Sequence, residues 1–471
     1  MSKKMWYSLL AVLMVMSFVL SACGPAQTEA PPAATEPAAT EAPMTEAPTE
    51  AATEAATEAA TEAATEAATE AAASGQVEVF SWWVGGGEAA GLTAMTEVFK
   101  EKYPDIEFVN AAVAGGSGTN ARAVLATRLQ ANDPPDSWQA HAGQEIIGTY
   151  VAANQVAPLD DFFAESGFAD VLPETLIPLI SQDGHPYSVP VNIHRSNVMW
   201  YNPAVLEEAG VEVPTTWDEF FAACDKIVAA GKTCLALGPQ WTAMHLFENV
   251  MIGSLGAEKW NALWSEGADW SSADVTAALE NFSKALSYAN SDAAQLADWQ
   301  PAAQLVTNGD AAFNIMGDWA DGYFENAAPD GLGLTAHEGF DWAPVPGTDG
   351  IFVFLSDSFV LPANAKNQDA TNAWLTVAAS KEGQEAFNPV KGSICARTDC
   401  DQSLFNEYLQ SAATDWSTDT VVGSLTHGVV ANDAWKSKID TALGLFLANP
   451  TDVASFQTAL VDACASDGVC Q

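Results

Sequence analysis

The chain has 471 residues, 48% of them hydrophobic, and a formal net charge of −44. A surface of that sign repels phosphate backbones and anionic headgroups, which argues against nucleic-acid binding and against docking on acidic membranes. The hydrophobic share is enough for a substantial core.

Lys3 and Lys4 precede an apolar run at residues 9–20 that ends in Leu20-Ser21-Ala22-Cys23. A positive start, a short apolar stretch and small residues before a cut are the marks of a secretory signal. A cysteine at the cut, as in a lipobox, points to lipid attachment at Cys23. The run is short for a bilayer span, so residues 1–23 are expected to be a lipoprotein signal peptide and not an uncleaved transmembrane helix. Residues 24–74 are almost wholly Ala, Thr, Glu and Pro, and end in five Thr-Glu-Ala-Ala repeats. With Met44 as its one large apolar side chain, this stretch cannot build a core. Ala and Glu favour helix, but the repeat stacks Glu on Glu at i,i+4, so a fluctuating tether is expected, roughly 165 Å long if fully extended.

With ten acids in the tether and two lysines in the signal, the remaining body carries 51 acids against 15 bases. Some 400 residues are too many for one simple core, and two lobes are expected. Six further cysteines fall in three close pairs: Cys224 and Cys234, Cys395 and Cys400, Cys464 and Cys470. Outside the cytoplasm an even set reads as disulfides. Fifteen pairings are open, and the three local ones are favoured. None is a Cys-x-x-Cys, so neither zinc nor thioredoxin chemistry is suggested.

Residues 77–83 alternate as a strand and stop at Gly85-Gly86-Gly87. A helix follows at 88–102, with Leu92, Met95, Val98 and Phe99 on one face, ended by Pro104. A strand at 106–113, a helix at 120–129 and a short strand at 136–140 come next. Such alternation indicates an α/β fold with parallel-rich sheets, in which ligands sit beyond the carboxyl ends of strands. Residues 187–191 and 197–201 are extended. From Pro214 the chain is mostly helical, with a capped start at Thr216-Trp217-Asp218-Glu219 and helices at 241–255, 272–288 and 301–308. Strands return at 311–316 and at 352–361, before a helical end.

Trp82, Trp83, Trp299 and Trp319 lie at element ends beside Gly, Asp or Gln, whereas Trp374 sits in a helical stripe and reads as core. Glu88, Gln139, His141, Asp357 and Lys391 occupy similar terminal positions. Aromatic faces meet the C–H faces of sugars, and short polar groups bond their hydroxyls, so this set suits a small polar ligand in a pocket. Enzyme signals are weaker. Gly115-Gly116-Ser117-Gly118-Thr119 lacks the last glycine of a nucleophile elbow, and no Walker loop, dinucleotide fingerprint or His-Glu-x-x-His occurs. A glycosidase carboxylate pair stays open, because 51 acids guarantee coincidences.

Several runs carry a family resemblance: Ser81-Trp82-Trp83 with Gly87-Glu88; Gln139-Ala140-His141; Asn192-Ile193-His194-Arg195-Ser196-Asn197; Met316-Gly317-Asp318-Trp319; Ser356-Asp357-Ser358-Phe359; Lys391-Gly392-Ser393-Ile394; and His427-Gly428. From Val77 onward the body resembles the extracellular sugar-binding lipoproteins of bacterial ABC importers, in the glucose-binding branch. Many relatives carry a proline where this chain has Cys395. The resemblance implies a two-lobed periplasmic-binding-protein-like (Venus-flytrap) fold, with 75–188 plus 355–393 as the N-terminal lobe and 189–354 plus 394–471 as the C-terminal lobe. It implies that Trp82, Trp83, Glu88, Gln139, His141, Trp299, Trp319, Asp357, Lys391 and His427 bind the sugar, Trp83 and Trp299 by stacking. His194 and Arg195 are assigned to hinge or lobe structure. Neither cofactor nor metal is expected; the expected partners are a sugar and permease subunits, with the protein a monomer. The competing expectation is a secreted carbohydrate-active enzyme using Glu88 or Asp357.

Overall fold

The computed structural model describes residues 75–115 and 118–470. The expected signal peptide, Cys23 and the tether lie outside the described residues. The strand Gly75–Phe80 runs parallel to both Ile106–Asn110 and Ser137–His141, with the helices Gly86–Lys102 and Thr119–Gln130 between them in sequence. The sheet order is Ile106–Asn110, Gly75–Phe80, Ser137–His141, Asp357–Val360, Ser188–Pro190, in which Asp357–Val360 runs antiparallel to both of its neighbours. Its three last-named strands are buried along their whole length.

A small two-stranded sheet, Ser181–Gln182 with His185–Pro186, and two four-stranded ones form the rest. One is ordered Asp341–Pro344, Val198–Tyr201, Ala311–Ile315, Thr233–Leu235, and the other Ile394–Cys395, Asn192–Arg195, Ile351–Leu355, Thr420–Gly423. The uniform β pattern of residues 352–361 predicts a single strand. The structure instead breaks it at Ser356, leaving Ile351–Leu355 in one sheet and Asp357–Val360 in another. The break falls in the polar run Ser356-Asp357-Ser358, but β-prone residues stand on both sides of it, so the pattern reads as one strand. Val191 makes the same break between Ser188–Pro190 and Asn192–Arg195. The two crossings run side by side. Val191 N–H donates to Asp357 O at 2.9 Å, and Asp357 N–H donates to Asn192 Oδ1 at 2.8 Å.

The helix Trp217–Ala229 opens on the expected cap: Glu219 N–H donates to Thr216 Oγ1, and Thr216 N–H to Glu219 Oε2, each at 3.2 Å. This reciprocal pairing satisfies two amides that a helix start otherwise leaves free. Phe220, Phe221, Cys224 and Ile227, at helical spacing, make its buried face. Disulfides join Cys224 to Cys234, Cys395 to Cys400 and Cys464 to Cys470. One core gathers around Trp83, Phe99, Trp138, Phe359 and Trp374. A second holds Phe220, Phe247, Phe282, Phe446 and Phe456, where Phe446 stacks on Phe456 at 4.5 Å. Each such ring contributes about 2–3 kcal/mol by leaving water. Among the described residues no helix is long and apolar enough to cross a membrane.

Asn197 shows how polar groups hold this frame. Fully buried, it donates to Thr348 Oγ1 at 2.9 Å and Ile351 O at 2.8 Å, and accepts from Val353 N–H at 2.9 Å. Asn197→Ala leaves buried partners unsatisfied, so unfolding in urea is expected to show a loss of about 2–4 kcal/mol, with the denaturant slope unchanged.

Candidate functional site

The carboxyl end of Gly75–Phe80 leads through Ser81 to Trp82 and Trp83, and a tight turn then begins the helix Gly86–Lys102 with Glu88 in its first turn. Ser137–His141 ends on His141, directly opposite Asp357 in the ladder. Lys391 closes the helix Lys381–Lys391, which packs on Gly86–Lys102. Trp299 and Trp319 each begin a helix, Trp299–Thr307 and Trp319–Glu325. These pieces come together because two backbones approach closely. A Cβ on Gly322 would lie 2.8 Å from Lys391 O, and one on Gly392 would lie 2.6 Å from Gly322 N. Gly392 also has φ +81°, a conformation that favours glycine.

The result is one cavity walled by Trp82, Trp83, Glu88, His141, Trp299, Trp319, Asp357, Lys391 and His427. About 100 Å³ of it is open to water centres, several times the roughly 10–15 Å³ that one water needs. Nine of the ten residues named from sequence therefore share a wall. Gln139 stands behind it: its amide donates to Asp357 Oδ1 at 2.7 Å, and its carbonyl accepts from Trp82 N–H at 3.3 Å. His194, assigned above to hinge or lobe structure, is also part of the wall. Its strand ends against Asp318, which bonds both His194 Nδ1 and Arg195 N–H, and that bond turns the ring inward. Arg195 is structural, paired with Asp415 and Asp419.

Trp241, Asp298 and Gln300 also line the cavity and escaped the sequence reading. Asp298 caps the helix that starts at Trp299, accepting its N–H at 3.0 Å, and accepts Trp241 Nε1–H at 2.8 Å. An Asp one residue before a helical pattern is a cap signal that would have found Asp298. Trp241 stands at the start of the helix expected at 241–255, beside Gln240, the same end-of-element position that marks Trp299, and that signal would have found it.

Charge is concentrated here out of water. Asp357 accepts from Gln139 and, at 2.8 Å, from Asn192 Nδ2. Burial alone would raise its pKa, but His194, Lys391 and His141 outweigh that and hold the carboxyl well below the usual range, so it is ionised. Lys391 Nζ lies 3.0 Å from His194 Nε2 and 3.7 Å from Glu88 Oε1, with Trp83 and Trp319 ring centroids at 5.8 and 5.9 Å. Burial pushes Glu88 up, against the pull of Lys391. Around His141 the balance differs: burial would raise Glu145, but His141, whose Nδ1 is 2.7 Å away, and Arg122 keep it low. Trp83 Nε1 is buried with no acceptor among the described residues. The wall thus offers an ionised acceptor and a cation between aromatic faces, which is the chemistry of hydroxyl recognition.

His245, behind the cavity, gives the site's setting a pH signature. Burial holds its pKa down to about 3, against an ordinary 6.5. The unfolded chain takes up this proton below about 6.5 and the folded one does not until about 3, so the stability involved is complete above pH 6.5 and drains away as pH falls through that window. His245→Gln is expected to flatten the fall in unfolding free energy between pH 6 and 4.5 by about 1 kcal/mol per pH unit, measured by urea denaturation at stepped pH.

Residues 52–385 match the family of bacterial extracellular solute-binding proteins. A probable sugar-binding periplasmic protein of Brucella suis is 34% identical over 377 residues, which cover 77% of this chain and 86% of the relative. A xylose/arabinose-binding protein of Haloferax volcanii is 30% identical over 397 residues, covering 82% and 84%. Among solved structures, the bacterial solute receptor AcbH, described as having an exclusive preference for β-D-galactopyranose, superposes with a TM-score of 0.71 over 83% of this chain and 99% of that one. At 18% identity that likeness shows the fold alone. With its two-lobed α/β architecture, the chain belongs to the bacterial extracellular solute-binding proteins, among the sugar receptors of ABC importers.

Proposed function

We propose that this receptor holds a single pyranose, glucose or a close relative, in the cavity between its lobes and hands it to a permease while tethered by a lipid on Cys23. The observation that carries the reading is the ionised, buried Asp357 beside Lys391, with Trp82, Trp83, Trp299 and Trp319 in the same wall. Asp357 accepts from two adjacent hydroxyls, Lys391 donates to another, and Trp83 and Trp299 lie against the C–H faces of the ring. The lobes are 75–188 plus 355–393 and 189–354 plus 394–471, and they hinge where the chain passes between sheets. Contacts from both lobes give the sugar its preference for the closed form. The names of the relatives support a sugar in general, a pentose in one case. The glucose assignment rests on the motif resemblance.

Isothermal titration against glucose, galactose, mannose, xylose and common disaccharides tests this. Binding of at least one monosaccharide is expected, weakened about tenfold or more by Asp357→Asn and by Trp299→Ala. The sugar should be recovered unchanged from the complex. Absence of binding to every sugar would sink the proposal, and turnover of a glycoside abolished by Glu88→Gln would replace it with the enzyme reading.

A further inference from the structure

Behind His427 lies a carboxylate that touches no wall residue of the cavity directly. Glu248, fully buried on the helix Gln240–Ala262, accepts from Ser196 Oγ at 2.8 Å, Leu425 N–H at 2.7 Å and Thr426 N–H at 2.9 Å. Ser424 Oγ lies 3.0 and 2.9 Å from its two oxygens. The same hydroxyl is 3.2 Å from His427 N–H and 2.9 Å from His427 Nδ1. Resting on the sugar-receptor reading above, we infer that Glu248 is a positioning residue: through Ser424 it fixes His427 as the Nδ1–H tautomer, leaving Nε2 as an acceptor for a ligand hydroxyl.

The argument is proton counting. A hydroxyl has one proton and two acceptor positions. Burial pushes Glu248 up, but two backbone amides and two hydroxyls converge on its oxygens and oppose that, and four donors call for an ionised carboxylate. Ser424 therefore gives its proton to Glu248 and receives from His427 N–H and from His427 Nδ1–H. Among the described residues Nε2 of His427 makes no hydrogen bond. Burial, with His141 and His245 close by, keeps His427 neutral by pushing its pKa well down. The ring is held edge-on by Trp319 at 5.1 Å and by His141 at 5.2 Å. His245, Glu248 and His427 also bring one ligand atom each within 4.8 Å of the others, a spacing that suits a metal. The donors already on Glu248 oppose that, since a cation there would face amide and hydroxyl hydrogens.

Long-range 15N–1H spectra of histidine-labelled, sugar-free protein at pH 7 test the inference, with the His427 signals assigned by their loss in His427→Gln. The expected spectrum has a protonated Nδ1 and a bare Nε2. Ser424→Ala should move His427 toward the Nε2–H tautomer and weaken sugar binding about tenfold, and Glu248→Gln should do the same. If Glu248→Gln does not fold, the wild-type and Ser424→Ala spectra decide alone. An Nε2–H signal in the wild type, or a tautomer unmoved by Ser424→Ala, overturns the inference. So does zinc that binds stoichiometrically and shifts the His245 and His427 signals together. The tautomer is read without sugar, so its failure is separate from any failure of the receptor reading.

Discussion

Everything near the cavity depends on keeping one carboxylate ionised out of water. Asp357 is the first residue of a strand that has just left another sheet, so its backbone and side chain meet groups from both. Gln139 comes from the five-stranded sheet, Asn192 from the neighbouring crossing, and His141 and His194 approach from either side. A buried charge with fewer partners would be expelled or protonated. Here the partners also fix the crossings, because Asn192 bonds the side chain and the amide of the same aspartate. The strand break at Ser356 and the acceptor in the cavity are thus one arrangement seen from two sides.

Around it, ionic groups are paired in a chain and not singly. Asp318 orients His194, His194 faces Lys391, and Lys391 lies between Glu88 and two indole rings. Breaking one such buried pair costs more than the pair contributes, because the partner is stranded. That asymmetry favours a wall that is rigid before any ligand arrives, and rigid walls bind with less loss of side-chain freedom.

Much of this was legible in the sequence, for physical reasons that can be named. The β-α-β-α-β opening could be read because period 2 and period 3.6 alternate cleanly there, and much of the wall could be read because Trp82, Trp83 and His141 sit where strands end and Trp299 and Trp319 where helices begin. The break in 352–361 could not, since partner exchange between sheets changes no side chain. Gln139 and His194 exchanged places for a related reason. Strand alternation says which residues share a face, but only the Asp318 contact decides that His194 turns into the cavity while Gln139 stays behind Asp357. Trp241, at a helix start beside Gln240, carries the same signal as Trp299 and was within reach of the sequence.

The close approach of Gly322 and Gly392 has a thermodynamic consequence. Where these halves meet, main chain lies on main chain, and glycine has no side-chain rotamers to freeze. A seam of lysines or methionines there would lose up to ~2 kcal/mol of conformational entropy per side chain each time it formed. With that loss absent, the seam costs little beyond the ordering of main chain, and the wall beside it, held by its own ion pairs, keeps its shape before any ligand arrives.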